Sequence, residues 1–130
     1  MTTETTKTEN AVAPSETTES RTHIIDATGK RLGKVATEAA TVLMGKDQVD
    51  FAKHTVAPVV VTIENASKLD IPESKKQEIY QSYSGYPGGR KTETLEHLGE
   101  RLGYSEVVRR NVKGMLPKNK LQAVLMKNLI

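Results

Sequence analysis

Apolar periodicity begins only after position 22, at His23-Ile24-Ile25-Asp26; the residues before it carry hardly any large apolar group. The first apolar stretch stops at Ala27-Thr28-Gly29-Lys30, where glycine and polar neighbours signal a turn, and it predicts a first strand. Over residues 32–45, Leu32, Val35, Ala36, Ala39, Ala40 and Leu43 recur at helical spacing, and Gly45 stands where a C-terminal cap belongs. Residues 59–63, Val-Val-Val-Thr-Ile, form a β-rich run without polar alternation. That pattern predicts a central strand, covered on both faces by helices in a largely parallel sheet.

The second half is less regular. Residues 64–74 are polar with a proline at 72, and Ile79 and Tyr80 within residues 78–83 predict another strand. A loop over 84–91 follows, then a short amphipathic helix marked by Leu95, Leu98 and Leu102, capped by Thr92 or Thr94 and ending near Gly103. Ser105 is placed to cap a further helix whose Val108, Val112 and Met115 share one face, limited by Pro117. Leu121, Val124, Leu125 and Leu129 predict a last helix. The order is β-α-β, then a strand and three helical segments, which defines an α/β domain without internal repeats.

Composition narrows the possibilities. At 130 residues the chain fits one domain. Residues 1–22 hold eight threonines and four glutamates, cannot bury enough surface to fold, and are expected to be a disordered extension ahead of a domain over 23–130. The segment lacks the apolar core of a secretory signal, and its acids argue against a transit peptide. With no cysteine, disulfides, thiolate zinc sites and cysteine nucleophiles are excluded, and a reducing cytosol is compatible. The 59–63 run is far short of the roughly 20 residues of a membrane-spanning helix, so no membrane association is expected. The formal net charge is +3, but residues 23–130 carry 17 basic against 12 acidic groups. An excess of that size fits a solvated basic surface as well as a nucleic-acid binder, so its distribution has to decide.

Three places could carry chemistry. Gly29-Lys30-Arg31-Leu32-Gly33-Lys34 is a glycine-bearing basic turn between a strand and a helix, a recurrent way to hold phosphate. A phosphate-binding P-loop needs four residues between its glycine and its Gly-Lys pair and then Ser or Thr; here three intervene and Val35 follows. Lys30, Arg31 and Lys34 could still meet a nucleic-acid backbone, or simply form a basic helix entry. In Tyr83-Ser84-Gly85-Tyr86-Pro87-Gly88-Gly89-Arg90-Lys91 the glycines permit close approach to phosphate and the tyrosines offer flat packing surfaces, although Pro87-Gly88 also marks an ordinary turn. Between residues 109 and 127 lie Arg109, Arg110, Lys113, Lys118, Lys120 and Lys127 without one acid. At least two of Arg109, Arg110 and Lys113 must face outward, giving a solvated face or a polyanion-binding strip. His23, His54 and His97 lie too far apart for a metal pair, no Gly-x-Ser-x-Gly elbow occurs, and no catalytic residue, metal or cofactor is expected.

These residues carry a family resemblance. Asp26, Gly29, Leu32-Gly33-Lys34, Ala36 and Gly45-Lys46, then Ser84-Gly85-Tyr86-Pro87-Gly88-Gly89-Arg90-Lys91, then Val112-Lys113-Gly114-Met115-Leu116-Pro117-Lys118-Asn119 occur in the order seen in the bacterial-type ribosomal protein L13 family, which the chain resembles over residues 23–129. The resemblance implies a three-layer single domain with a small, mostly parallel β-sheet flanked by helices. It further implies a non-enzymatic constituent of the large ribosomal subunit that binds large-subunit ribosomal RNA and supports early assembly. Neighbouring large-subunit proteins would be its other partners, and it would be a monomer within the cytoplasmic ribosome. The implied RNA contacts are Lys30, Lys34, Lys46, His54, Gly85, Tyr86, Gly88, Gly89, Arg90, Lys91, Lys113, Gly114, Lys118 and Asn119, to which the acid-free run adds Arg109 and Arg110. Where the family has a Pro-His-x-Asp-x-Gly-Asp corner this chain has Lys53-His54-Thr55-Val56-Ala57-Pro58, and Leu121 is followed by Gln122-Ala123 instead of Gly-Arg. A small nucleotide-binding α/β enzyme and a basic protein-interaction module are the rival readings.

Overall fold

The computed structural model describes residues 20–130; the greater part of the expected N-terminal extension therefore lies outside the described residues. Strand β1 (Arg21–Asp26) starts two residues before the expected domain boundary and pairs in parallel with β2 (Val59–Glu64), from Arg21 opposite Val59 to Asp26 opposite Glu64. Helix α1 (Leu32–Met44) makes the crossover. Gly45 ends it as expected, at φ +71° in the left-handed region, with its N–H donating to the carbonyls of Thr41 and Val42. The sequence's β-α-β unit is thus present, and β2 is its central strand. On its other side, the Val61 N–H donates to the Asn128 carbonyl at 2.9 Å and the Ile130 N–H to the Val61 carbonyl at 2.8 Å.

The coverage of β2 is one-sided. Val59 and Val61 are buried while Val60 and Thr62 are only half-buried, so the uninterrupted apolar run overstated the burial of its second face. A 3-10 turn (Ala66–Lys68) and the short helix α2 (Glu73–Lys76) occupy the polar stretch that carried no periodicity. Next comes an antiparallel hairpin of β3 (Ile79–Tyr83) and β4 (Arg90–Thr94), separate from the parallel pair. The strand at β3 was expected. β4 was not, because Arg-Lys-Thr-Glu-Thr has no apolar face and takes strand form by pairing with β3.

The C-terminal half is helical: α3 (Leu95–Leu102), α4 (Tyr104–Met115) and α5 (Gln122–Lys127). Thr94 is the cap of α3, its Oγ1 accepting from the His97 N–H at 3.3 Å, whereas Thr92 lies within β4. Ser105 does not cap α4. The helix starts two residues earlier than that cap implies, directly from Gly103 at φ +91°, with the Tyr104 ring against Gly99 so closely that a Cβ there would sit 2.7 Å from Cε1. The same packing replaces Leu102, which is exposed, with Gly99 on the buried face of α3. On α4 the buried set is Val107, Val108 and Val112, continued by Leu116; Met115 points outward to Thr37, whose Oγ1 lies 3.7 Å from its Sδ. On α5, Leu125 and Met126 are buried and Val124 is exposed, while Leu129 belongs to the bridge with Val61.

One core gathers the wide apolar stripe of α1 with Ile25 and Ala27, Val59 and Val61, Val108 and Val112, and Leu125 and Met126. A smaller one joins Leu95, Leu98 and Val107, with Leu32, Ile71, Tyr80 and Tyr104 packed against it. Mixed helices and small sheets with one parallel pair agree with the expected α/β class.

The two turn glycines at the ends of the α1 crossover separate backbone strain from packing. Gly29 has φ +67° with nothing within 4 Å of a would-be Cβ, whereas at Gly45 that Cβ would lie 2.9 Å from the Ala57 Cβ. Gly29→Ala should cost about 1–2 kcal/mol from left-handed strain. Gly45→Ala should cost about 1–3 kcal/mol more from overpacking. Urea unfolding of both variants checks this; equal losses would contradict it.

Candidate nucleic-acid interface

The turn that opens α1 is rigidly built, and its cations are largely committed. Asp26 Oδ1 accepts from the Thr28 N–H at 3.0 Å, from Thr28 Oγ1 at 2.7 Å and from Asn65 Nδ2 at 3.1 Å. These donors, the Thr28 hydroxyl foremost, lower the Asp26 pKa to about 2 although the carboxylate is exposed. Lys30 Nζ lies 3.5 Å from Glu38, and Arg31 Nε 2.8 Å from Asp70. Of the three expected phosphate-facing cations here, only Lys34 has no ion-pair partner among the described residues. At this helix entry Lys30 and Arg31 are ion-paired and Lys34 is exposed.

Lys46, just past the Gly45 cap, and His54 are both exposed. The backbone beside His54 is tied to the corner after α4, because Asn119 Nδ2 donates to the Lys53 carbonyl at 3.4 Å.

The hairpin projects its glycine-rich tip into solvent, with Tyr83 and Tyr86 exposed. Gly85 and Gly88 have φ of +87° and +73°, and a Cβ at Gly89 would collide with Ser84 Oγ. All three glycines thus have a reason internal to the turn. Successive side chains of a strand alternate faces. Tyr80 and Ser82, opposite Glu93 and Lys91, share one face; Tyr83 and its partner Arg90 share the other. Arg90 Nη2 donates to Gln81 Oε1 at 2.9 Å. Arg90 and Lys91, adjacent in sequence, serve opposite sides of the arm. The arm is anchored at its base by Arg101, which holds Glu93 through bonds of 2.8 and 2.7 Å and thereby lowers its pKa.

The acid-free run is where the structure concentrates positive charge. Arg109 and Lys113 are exposed, and Arg110 is half-buried with Glu106 Oε1 at 3.5 Å from its Nε. Two adjoining grooves result. Tyr80, Gln81 and Ser82 form one wall of the first, and Arg110, Lys113, Gly114, Lys118 and Gln122 line the rest. The second is lined by Arg109, Asn119, Lys120 and Lys127 among others, and shares Arg110, Lys113 and Gln122 with the first. Gln122 Nε2 donates to the Lys113 carbonyl at 2.8 Å, which ties α5 to the end of α4 and holds the shared wall in place. Gly114 is unlike the hairpin glycines: nothing lies within 4 Å of where its Cβ would be.

Of the expected contact residues, Arg109, Arg110, Lys113, Gly114, Lys118 and Asn119 are therefore brought together. Lys30, Lys34, Lys46, His54 and the hairpin residues 85–91 line neither groove. Sequence reasoning missed Tyr80, Gln81, Ser82 and Gln122, and it included Lys120 and Lys127 in the acid-free run without naming them among the RNA contacts. For the two lysines, membership of the acid-free run was a sufficient signal. The β3 residues gave none, since only the tertiary approach of the hairpin to α4 brings them there.

Fold and surface together define a small α/β protein with a grooved cationic face and, among the described residues, no cluster of three metal-ligating side chains. No helix among them is long and apolar enough to cross a membrane. The profile of the family described as Ribosomal protein L13 matches residues 20–130, and the chain belongs to that family. It is 42% identical over 108 residues to the large ribosomal subunit protein uL13 of Synechococcus sp., covering 82% of this chain and 71% of the relative. With the uL13 of Synechocystis sp. the identity is 46% over 100 residues, 76% and 66% of the two chains, and with that of Prochlorococcus marinus 43% over 112 residues, 85% and 78%. The chain thus spans about two thirds to three quarters of these relatives. Membership in a family of ribosomal proteins agrees with the expectation of a protein that is not an enzyme.

The Asp26 clasp has a pH signature. A carboxylate whose folded pKa is about 2 against an ordinary 3.8 stabilises the fold fully above pH 4, and that contribution is lost as pH falls from there through 2. A carbon-detected NMR titration should place the Asp26 midpoint near 2; a midpoint at 3.8 would contradict the clasp.

Proposed function

We propose that the chain is a structural constituent of the large ribosomal subunit that binds large-subunit ribosomal RNA and supports early subunit assembly. One observation carries this reading: Arg109, Arg110, Lys113, Lys118, Lys120 and Lys127 converge on two joined grooves, in which Glu106 is the one acidic lining residue. Such a track suits a sugar-phosphate backbone, where positive charge and exposure matter and base identity does not. Gly114 supports it from another side. A glycine in the last turn of a helix costs about 1 kcal/mol relative to alanine, and nothing inside the protein uses the space it leaves. An RNA backbone lying against α4 would use it.

In this reading the RNA-binding domain begins with β1 at Arg21, and the residues ahead of it are an appended extension. The arm with Tyr86, Arg90 and Lys91, together with Lys34, Lys46 and His54, supplies contacts outside the grooves. The protein acts as a monomer within the cytoplasmic ribosome, beside neighbouring large-subunit proteins. The uL13 names of its relatives support the ribosomal setting. Against a nucleotide-dependent enzyme stands the turn at Gly29, where Lys30 and Arg31 are occupied by Glu38 and Asp70.

Tagged protein should co-sediment with the large subunit through a high-salt sucrose gradient and be released by ribonuclease. Free protein at the top of the gradient overturns the proposal, and ribonuclease-insensitive, salt-sensitive association points to a protein-interaction module. Lys113→Glu and Arg90→Glu should each weaken binding to large-subunit ribosomal RNA about tenfold with circular dichroism unchanged. Gly114→Ala should raise stability by about 0.5–1 kcal/mol in urea unfolding while weakening RNA binding. Unchanged affinity would remove Gly114 from the interface.

A further inference from the structure

The first groove has a wall that is not cationic. Asn111 Nδ2 donates to the Val107 carbonyl at 2.8 Å and to the Tyr80 hydroxyl oxygen at 2.9 Å. The bond to a carbonyl fixes which end of the Asn111 amide is nitrogen, so the Tyr80 oxygen is an acceptor in this pair. Its own proton is left to donate elsewhere, and no acceptor for it occurs among the described residues. Tyr80 lines the groove together with Arg110, Lys113 and Lys118.

Gln81 adds a second donor by a different route. The flanking backbone bonds, from the Leu95 N–H to the Glu78 carbonyl and from the Ser84 N–H to the Gly89 carbonyl, fix the phase of the ladder. In an antiparallel pair, residues that exchange bonds alternate with residues that do not. Tyr80 and Ser82 are in phase with these bonds and turn their backbone groups toward β4. Gln81 falls between them and turns its N–H and carbonyl to the free edge of the hairpin. Gln81 lines the groove and its side chain holds Arg90, which leaves its free backbone edge as the part to face the groove.

We propose that the Tyr80 hydroxyl and the Gln81 backbone N–H bind one RNA backbone phosphate in this groove, as neutral donors that orient the anion the surrounding cations attract. The assignment rests on the RNA-binding reading above and deepens it. Charge alone leaves an RNA strand free to slide along a basic surface, whereas two fixed donors define where one phosphate sits. Asn111 is the positioning residue, holding the tyrosine oxygen from behind.

The test uses the full chain and in vitro transcribed large-subunit ribosomal RNA, with affinity measured over a series of salt concentrations. Tyr80→Phe keeps the ring packing and leaves Asn111 bonded to Val107. It should weaken binding about tenfold, the scale of a hydrogen bond to a charged group, with the dependence of log affinity on log salt unchanged because no cation is lost. Lys113→Gln should instead lower the magnitude of that slope by about 1. In a separate titration with a fragment of that RNA, the Gln81 amide resonance should shift. Wild-type binding with an unaltered Tyr80→Phe affinity, or a Gln81 amide that does not move, overturns this inference and leaves the proposed function standing. Failure of the wild-type chain to bind the RNA overturns both.

Discussion

The burial of α1 is the constraint on which the remaining geometry depends. Val35, Ala36, Ala39, Ala40 and Leu43 are all nearly inaccessible, and they form a stripe wide enough to meet the parallel strands and α4 together. Three of these five are alanines, so neighbouring backbones approach closely, and the core is filled by branched side chains from the partners: Ile25, Val59, Val61, Val108 and Val112. Because α4 is committed to α1 along its Val108 and Val112 side, Arg109 and Lys113 have only solvent to face. The cationic track is thus a direct consequence of how the core is shared.

The cations of this chain divide into two physical classes. Those near α1 are bound to carboxylates, Lys30 to Glu38 within α1 and Arg31 to Asp70 beyond β2, and they contribute to holding the turn. Exposed pairs of this kind each add little stability, and they also reduce the charge left for an outside anion. Those after residue 108 form one ion pair among the described residues, Arg110 with Glu106. A formal excess of charge therefore understates the field on one face and overstates it on the other.

Much of the fold was legible because the sequence encodes burial. The β1-α1-β2 unit, the Gly45 cap and the Thr94 cap could be read from apolar spacing and from residues with specific end-of-helix chemistry. β4 could not, since Arg90 to Thr94 bury almost nothing and are strand only through their partners. The start of α4 was misplaced because Tyr104 lies over Gly99, a contact no local pattern announces. At the candidate site the basic residues of α4 and of the corner after it were visible as an acid-free run. Tyr80 and Gln81 were not, since their place in the groove depends on how the hairpin leans on α4 and on which residues of a ladder turn their backbone outward.

The Asp26 clasp bears on misfolding. A parallel pair of six residues with an apolar run on one strand can slip by one position, and a slip would exchange the buried Ile25 for the exposed Ile24. Asp26 at the end of β1 is joined to Asn65, the residue after β2, which takes up a left-handed φ of 56° to meet it. Only one alignment of the two strands brings that carboxylate and that amide together, and the Ala27 N–H bond to the Glu64 carbonyl completes the same register. The clasp therefore marks the register: in this alignment the carboxylate meets the amide, and in a slipped one both turn to water instead.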